Sequence, residues 1–482
     1  MAMPTADAIL PREVGSSSRP PRGWRRVLGA LLVVTLGGAC ASVDAGPDFD
    51  ATSRLVEERT GGLDSWNPEV SEADIDAAVE ALLADGLTVA EAVRVALLCN
   101  PSLRASYEEV GIGKAELVAA GLPANPAFLV STRVPDGNGP ANVTVSLSQG
   151  LLDLFLIPAR RRAGEARLSM ARWAVVRDAV QLCGRVQVQA FDLLALDRGR
   201  ALTAAGVALA ERSEEIARRR QQAGLADAVD VSLAHGAVLE ARRELLGLKR
   251  DVALGRAALQ ELLGLAPEAG DWELVDELPA PRSARTAESL VETALARRLD
   301  VEVARLGVEV ARGDLGVERR REMPDLALGA ERETEGSASL TGPVLEGALP
   351  LWSRNEPATS RAEFALQHAV HELGRTRNEA ARQVREAAAR VDAARGLAAL
   401  FEDEILPQAH ESLSTAQRAW QAGERDVLVL LEAQRALLDQ QRRYVEVLRD
   451  GARAGAELDV ALGGLGQGAA APADAATREA GG

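Results

Sequence analysis

The chain has 482 residues, of which 47% are hydrophobic and only 3% aromatic, and it is rich in Ala, Leu, Val, Arg and Glu, a composition typical of long helices and coiled coils. Its 55 basic and 71 acidic residues give a net charge of −16, which argues against a nucleic-acid-binding protein. Three cysteines and four histidines are too few for a disulfide scaffold or a zinc-finger array, and no apolar stretch after residue 40 is long enough for a membrane-spanning helix. These numbers leave an enzyme open.

The amino terminus is typical of an export signal. Arginines cluster just before an apolar run of about ten residues, Val27 to Leu36, which suits a signal-peptide core and is too short to span a bilayer. The run leads through small residues to Cys40 and resembles the lipobox of bacterial lipoproteins, except that Leu36 lies one place early. We therefore predict a signal peptide over residues 1–39 and lipidation of Cys40; ordinary cleavage after Ala41 is the alternative.

An internal repeat organises the rest of the chain. Gly224 and Gly423 lie in similar sequence surroundings 199 positions apart, and Pro158 and Pro357 have the same separation. Self-similarity at one period indicates two copies of one structural unit. The first repeat is predicted over residues 87–266 and the second over 286–465, with a linker at 267–285 between them. An amino-terminal periplasmic segment is predicted at 40–86 and a disordered tail at 466–482.

Each repeat is predicted to open with a shorter helix. Thr88 and Glu91 have the spacing of a capping box, in which the hydroxyl and the carboxylate satisfy free amide groups at a helix start. The helix is expected to run to about Ala120 with an interruption near Asn100-Pro101. The second repeat is expected to begin in the same way at Thr286.

Long stretches of helix-forming residues then predict two helical hairpins. The first pairs helices over about 158–222 and 229–263, with Gly224 in the turn and Pro158 as the first helical residue, where a missing amide hydrogen costs nothing. The second pairs helices over about 357–421 and 426–462, with Gly423 in the turn and a bend at Pro407. Narrow apolar seams along these helices require helical partners.

The segments between the helices predict one β-hairpin in each repeat, with arms at 128–134 and 143–148 and at 326–333 and 339–351. The arms carry polar residues on one face, and Phe155 and Trp352 fall at corresponding strand ends, where interfacial aromatic residues occur in membrane barrels. Four strands cannot close a barrel that holds side chains, and an open sheet edge in lipid leaves backbone groups unpaired. If these strands enter a membrane, several copies must pool them, and three copies give twelve strands.

The order of these elements resembles the TolC family of outer-membrane efflux proteins over nearly the whole mature chain, from about Leu87 to Gly464. The fragments that carry the resemblance are Leu87-Thr-Val-Ala-Glu-Ala-Val with Asn100-Pro101, Gly121-Leu-Pro-Ala-Asn-Pro126, Leu349-Pro-Leu-Trp-Ser-Arg-Asn355, Gly46-Pro-Asp-Phe49 and the two hairpin turns. Their order and spacing together are specific, although each fragment alone is not.

The resemblance implies a mainly α fold with a small β part, in which long antiparallel helical hairpins form a coiled-coil tunnel and four strands per chain complete a trimeric, twelve-stranded transmembrane β-barrel. It also implies a homotrimer in outer-membrane lipid, working with a periplasmic adaptor (membrane fusion) protein and an inner-membrane pump. The implied function is a passive duct in a tripartite efflux or secretion system, gated at its periplasmic tip, with no catalysis, no cofactor, no metal centre and no nucleic acid.

Acidic residues near the start of the returning helices can ring the narrowest point of such a duct. The positions that match this family pattern are Asp230 and Leu233 in the first repeat and Val429 and Glu432 in the second, so three Asp230 and three Glu432 carboxylates would meet in a trimer. Carboxylates drawn together raise one another's pKa and favour cations. The alternative is that Asp227, Asp230 and Asp426 simply cap the helices.

Two other classes of function remain open from the sequence: a periplasmic coiled-coil adaptor or scaffold lipoprotein without a pore, and a hydrolase, for which no catalytic arrangement is found. His368 and His371 have helical spacing but no third ligand nearby, which favours a solvated face. Cys99 and Cys183 lie among apolar residues, which favours core packing over a disulfide. The cargo cannot be read, although the fragment 349–355 is slightly more similar to the heavy-metal efflux branch.

Overall fold

The computed structural model describes residues 41–266, 272–281 and 286–466. The elements below belong to the compact unit that begins at Asp44. The predicted signal peptide, Cys40 and nearly all of the predicted tail lie outside the described residues, as does part of the linker. In chain order the elements are α1 (Gly46–Thr60), α2 (Glu72–Leu83), α3 (Val89–Cys99), α4 (Pro101–Ala120), β1 (Ala127–Arg133), β2 (Asn142–Gly150), α5 (Leu152–Gln222), α6 (Ala228–Leu263), α7 (Ala287–Arg297), α8 (Leu299–Arg320), β3 (Leu326–Glu335), β4 (Ala338–Gly347), α9 (Glu356–Leu400), a π-helical turn (Phe401–Ile405), α10 (Leu406–Gln421) and α11 (Val427–Ala461).

Two polar caps start the helices of the first repeat. The Glu91 amide donates to Thr88 Oγ1 at 3.2 Å, and the Glu91 carboxylate accepts from the Thr88 amide at 2.8 Å, which confirms the predicted capping box. Asn100 separates α3 from α4, because a residue before proline avoids the helical region, and its side chain accepts from the amides of Ser102 and Leu103. The predicted interruption near Asn100-Pro101 is therefore confirmed.

The long helices of the first repeat form an antiparallel hairpin. Helix α5 has 71 residues and is about 105 Å long, and α6 returns along it after a turn at Gly224. The prediction that Pro158 begins this helix is wrong, because α5 begins at Leu152 and Pro158 lies in its second turn. The helix formers Leu152 to Leu156 extend the helix toward the sheet, and Pro158 then removes one backbone hydrogen bond.

The second hairpin is interrupted where the first is continuous. Helix α9 begins at Glu356 and ends at Leu400, where a π-helical turn at Phe401–Ile405 connects it to α10. Pro407 follows two residues later and cannot donate to the preceding turn, so the backbone is displaced there, as the predicted bend at Pro407 requires. Phe401 packs on Tyr444 of α11 with ring centroids 6.0 Å apart, and the Tyr444 hydroxyl donates to the Glu402 carboxylate.

The long helices and the helices paired with them form one layer at each distance from the sheet, and α1 packs on this layer against α5 and α4. Near the hairpin turns the order across the layer is α6, α5, α11 and then α10 with the lower part of α9. Near the sheet the order is α4, α5, α8 and α9. Each layer therefore has two outer helices that lack a neighbouring long helix on one side within the described part of the chain.

Matching glycines join the returning helices to the shorter ones. Gly264 has a φ of +73°, and a Cβ atom there would lie 2.5 Å from the Cys99 carbonyl oxygen. Gly463 has a φ of +83°, and its Cβ would lie 2.6 Å from the Arg297 carbonyl oxygen. The same backbone contact thus recurs in the two halves, at the junction of α3 with α4 and of α7 with α8, and it requires glycine at both positions.

The largest core lies between the amino-terminal helices and α5. Asp48 is buried there and pairs with Lys114 at 2.7 Å and with Arg172 of α5. The buried Tyr107 hydroxyl hydrogen-bonds Ser65 at 2.9 Å. These contacts fix α1 against the long helices.

The two predicted hairpins pair with each other. Strands β1, β2, β3 and β4 form one antiparallel sheet in that order, with Leu147 opposite Phe128 on one side and Ala330 on the other. None of the helices in the described ranges is long and apolar enough to cross a membrane.

Candidate functional site

One face of the sheet is exposed and mostly apolar, with Arg332, which lies opposite Val145, as its charged member. Directly opposed residues in antiparallel strands share a face, so the pairs fix its composition. Phe128 is 78% exposed, and its face continues through Leu147 of β2 to β3 and β4. The large exposed apolar residues on this face are Phe128, Val130, Val145, Leu147, Leu326, Leu328 and Leu345.

The other face is mostly polar and acidic, although it also carries the exposed Leu129 and Leu340. Ser131, Thr144, Ser146 and Ser148 alternate with the apolar residues, and in β3 and β4 the alternation brings Glu331, Glu333, Glu335 and Glu346 to this face against one arginine, Arg133. The Asn142 side-chain amide donates to Glu333 Oε1 at 2.5 Å. A sheet that is mostly apolar on one side and mostly polar and acidic on the other fits a wall between lipid and water.

Phe155 and Trp352 occupy equivalent places beyond the sheet. Each lies five residues after the second arm of its hairpin, and Trp352 is 97% exposed between β4 and α9. The prediction that these residues lie at strand ends is therefore wrong for both: Phe155 is exposed in the first turns of α5, and Trp352 lies in the connection that follows β4. The structure leaves both rings free to contact an interface.

The tip of the first hairpin is capped by two aspartates. Gly224 has a φ of +71°, which favours glycine. Asp227 Oδ1 accepts from the amides of Val229 and Asp230 at 2.8 and 2.9 Å, and the Asp230 carboxylate accepts from the Asp227 amide at 3.4 Å. Asp230 therefore takes part in a capping box, which was the alternative that the sequence left open, while Leu233 is exposed one turn further on.

The tip of the second hairpin is apolar inside. Gly423 has a φ of +77°, and Val427 and Leu430 are buried against Trp420. The predicted aperture residues Val429 and Glu432 are exposed. Leu233 and Glu432 line one groove of about 930 Å³ between the two hairpins, whereas Asp230 and Val429 do not line it.

Five polar contacts that sequence reasoning missed join the two hairpins. Arg220 donates to the Trp420 carbonyl at 2.7 Å, and the Gln434 amide donates to Ser213 Oγ at 3.1 Å. Farther from the tip, Arg442 donates to Thr203 Oγ1 at 3.0 Å and to Glu244 Oε2 at 2.9 Å. Farther still, Arg453 donates to Asp192 Oδ1 at 3.2 Å. The only signal in the sequence is that Gln434 occupies an apolar seam position seven residues after Val427.

The remaining candidates have structural roles or none. Cys99 and Cys183 are free thiols, and complete burial raises the pKa of Cys183 to about 12, so this thiol is inert. Among the described residues of the single chain, no group of three His, Cys, Asp or Glu side chains could hold a metal ion.

The family model described as outer membrane efflux protein matches residues 92–265 and 290–464. This chain therefore belongs to the outer membrane efflux protein family, and it is an outer-membrane efflux channel with a periplasmic helical portion rather than an enzyme.

Individual relatives agree with this assignment. The chain is 28% identical over 386 residues to the cobalt-zinc-cadmium resistance protein CzcC of Cupriavidus metallidurans, covering 78% of this chain and 90% of that protein. Its fold is similar to that of the outer membrane protein VceC of Vibrio cholerae, with a TM-score of 0.65 and 20% identity over 81% of this chain and 96% of the other. A membrane protein from Pseudomonas aeruginosa gives a TM-score of 0.65 with 22% identity, over 78% and 93% of the two chains. The mainly α fold with a four-stranded sheet is confirmed.

Proposed function

We propose that this efflux channel is a homotrimer whose copies complete both the barrel and the tunnel. Free edges at both levels support this proposal. Among the described residues, β1 and β4 each have no strand paired with them on one side, and an edge in lipid would leave its backbone groups unsatisfied. Pairing β4 of one copy with β1 of the next removes all edges when three copies close a ring of twelve strands. A pore-free scaffold would not need such a sheet.

The helical layer has matching free edges. Leu246 on α6 is 67% exposed, and Leu400 at the end of α9 is 41% exposed. Leu246 lies 22 residues beyond the turn glycine Gly224, and Leu400 lies 23 residues before Gly423. Both are therefore about 33 Å above the tip, and a copy turned about a threefold axis brings the two apolar edges together.

Cysteine crosslinking tests this arrangement. A chain carrying Leu246→Cys and Leu400→Cys is expected to give covalent dimers and trimers with a short thiol crosslinker, because each copy offers one thiol to each neighbour. Denaturing gel electrophoresis after membrane extraction measures the products. The matched control combines Leu246→Cys with Gly374→Cys, which lies on α9 far above that height and is expected to give no ladder. Equal ladders from both variants, or monomer alone from the first, would contradict the trimer.

The inter-hairpin contacts are proposed to hold the tip closed. Arg442 joins α11 to α5 and α6 through Thr203 and Glu244, so the hairpins cannot separate at this height without breaking its bonds. The aperture of the trimer is proposed to lie nearer the tip than these Arg442 contacts, and to be lined by Asp230, Leu233, Val429 and Glu432. An adaptor protein and an inner-membrane pump would supply the work of opening.

Divalent metal cations are the proposed cargo. The relative from Cupriavidus metallidurans is named for resistance to cobalt, zinc and cadmium. The polar face of this chain's sheet carries four glutamates and one arginine, and a closed ring of three copies would multiply that negative charge around the lumen. Fixed charge of one sign in a confined pore concentrates ions of the opposite sign.

Ion selectivity is expected to depend on these carboxylates. In a planar bilayer with a salt gradient, the purified channel is expected to show a cation-selective reversal potential that moves toward zero in Glu331→Gln/Glu333→Gln. The control Glu58→Gln/Glu80→Gln removes the same charge from the exposed surfaces of α1 and α2 and is expected to leave the potential unchanged. An unchanged potential in the first variant would place selectivity elsewhere.

A further inference from the structure

Two of the four histidines make no hydrogen bond to any residue that the structure describes. His235 Nδ1 is 2.8 Å from the Glu214 carboxylate, and His410 Nδ1 is 2.8 Å from the Leu406 carbonyl. His368 and His371 are exposed on α9, and neither imidazole has a hydrogen-bond partner within the described part of the chain. They are three residues apart, so their side chains lie one helical turn apart on neighbouring positions.

The pair lies toward the unpartnered side of α9. Ala362 and Ala380 are buried in the seam that α9 makes with the rest of the layer. His371 is nine residues from each, or two and a half turns, and therefore projects from the opposite side of the helix. His368 precedes it by less than one turn on the same exposed surface.

Contacts across the layer fix the height of this pair. The helices approach closely at two glycines: a Cβ atom at Gly164 of α5 would lie 3.3 Å from the Cα atom of Leu117 of α4, and one at Gly313 of α8 would lie 3.0 Å from the Cα atom of Ala163, the neighbour of Gly164. Arg319 of α8 donates to Glu363 of α9 at 2.9 Å, so these two residues are level with each other. Because α8 and α9 are antiparallel, Gly313, six residues before Arg319, is level with position 369, six residues after Glu363. Residues 368–371 of α9 are thus level with Leu117 of α4, at the other end of the same layer.

The matching edge of α4 is acidic. Ile112 is 51% exposed and lies nine residues after the buried Leu103, so it projects away from the core. Glu116 follows it by one turn on the same side, is exposed, and makes no ion pair or hydrogen bond within the described residues. It is adjacent in sequence to Leu117 and therefore level with the histidine pair.

We infer that His368 and His371 of one copy and Glu116 of the next copy form a binding site for a divalent transition-metal ion, three sites per trimer. The inference rests on the proposed trimer, because closing the ring places α9 of one copy beside α4 of its neighbour. Two imidazoles and a carboxylate suit Zn²⁺ and Co²⁺, with water completing the coordination. The site is incomplete in one chain, consistent with the absence of any three-ligand group among the residues described.

Such a site ties neighbouring copies together at the height where the tunnel meets the barrel. A metal that binds the trimer and not the separated chains stabilises the trimer by mass action. The ion that the channel is proposed to carry would then also strengthen the channel wall.

Zinc binding by the purified, chelator-treated protein tests the site, with a purification tag that contains no histidine. The trimer is expected to bind about one Zn²⁺ per chain in equilibrium dialysis, and Co²⁺ is expected to give visible d–d absorption. His368→Ala/His371→Ala is expected to abolish both signals, and Glu116→Gln to weaken binding at least tenfold. Adding Phe364→His to the His371→Ala chain creates a new pair of histidines, at positions 364 and 368, and is expected to recover part of the binding.

Matched controls and oligomeric state separate the possible failures. His410→Ala and Glu108→Gln alter an exposed histidine and an exposed carboxylate away from the site, and both are expected to bind zinc as the unmodified protein does. A trimer that binds no zinc, or binds it equally in His368→Ala/His371→Ala, would overturn the site and leave the channel proposal intact. A single-copy particle by light scattering would overturn the trimer and the site together.

Discussion

Leu147→Arg is expected to abolish assembly of the channel in the outer membrane. Leu147 lies near the middle of β2 on the exposed apolar face, between Phe128 and Ala330. Arg332 already lies on this face opposite Val145, so Leu147→Arg would place a second positive charge beside it. An arginine on the lipid-facing side of a barrel costs about 2–4 kcal/mol near the bilayer midplane, and a trimer bears this cost three times. Fractionation of membranes, followed by a gel that preserves the oligomer, is expected to show loss of the trimer.

The neighbouring residue supplies the control. Ser148 projects to the polar face, where its partners are Ala127 and Gly329, so Ser148→Arg adds the same side chain on the water side of the proposed wall. We expect this variant to assemble. If Ser148→Arg failed and Leu147→Arg assembled, the apolar face would not contact lipid and the sheet would be oriented the other way.

Local features of the fold were predictable from the sequence because each depends on a few adjacent residues. The Thr88–Glu91 capping box and the turns at Gly224 and Gly423 are set by hydrogen bonds and backbone angles within one turn. The start of α5 was not predictable in the same way. Pro158 is compatible with the first turn of a helix, and only the pairing of the neighbouring strands shows that the helix begins six residues earlier.

The features of the fold and of the candidate site that could not be predicted from the sequence depend on contacts between segments far apart in the chain. The pairing of β2 with β3 joins the two repeats, and no local pattern specifies it. The bonds from Arg442 to Thr203 and Glu244 span separations of 239 and 198 residues. Of the predicted aperture residues, Leu233 and Glu432 share a groove, while the role of all four in a closed aperture stays a prediction because it depends on other copies.

The two hairpins are unequal, which bears on how the tip would open. Helix α5 is continuous, whereas the rod of the second repeat contains the π-helical turn at Phe401–Ile405. Such turns leave hydrogen bonds of the helix displaced and permit bending at a defined place. Opening is therefore expected to bend the second hairpin below Phe401 while the first hairpin remains straight, which would separate Arg442 from Thr203 and Glu244.

Arg442→Ala is accordingly expected to open the channel. The side chains of Arg442 and Glu244 are 25% and 40% exposed, so solvent screens their attraction, and loss of these charge-assisted bonds is expected to cost the closed state about 1–2 kcal/mol per copy. That corresponds to a roughly five- to thirtyfold higher ratio of open to closed tips. Conductance of the purified channel in a planar bilayer should rise by a comparable factor.

Arg443→Ala is the matched control, because Arg443 is the next residue, is more exposed and pairs with Asp439 on its own helix rather than with the other hairpin. It removes the same charge without releasing any contact between hairpins, so its conductance is expected to equal that of the unmodified channel. Equal increases in both variants would mean that charge near the lumen controls conductance. No increase in Arg442→Ala would mean that the lower contacts, Arg220 with Trp420 and Ser213 with Gln434, keep the tip closed on their own.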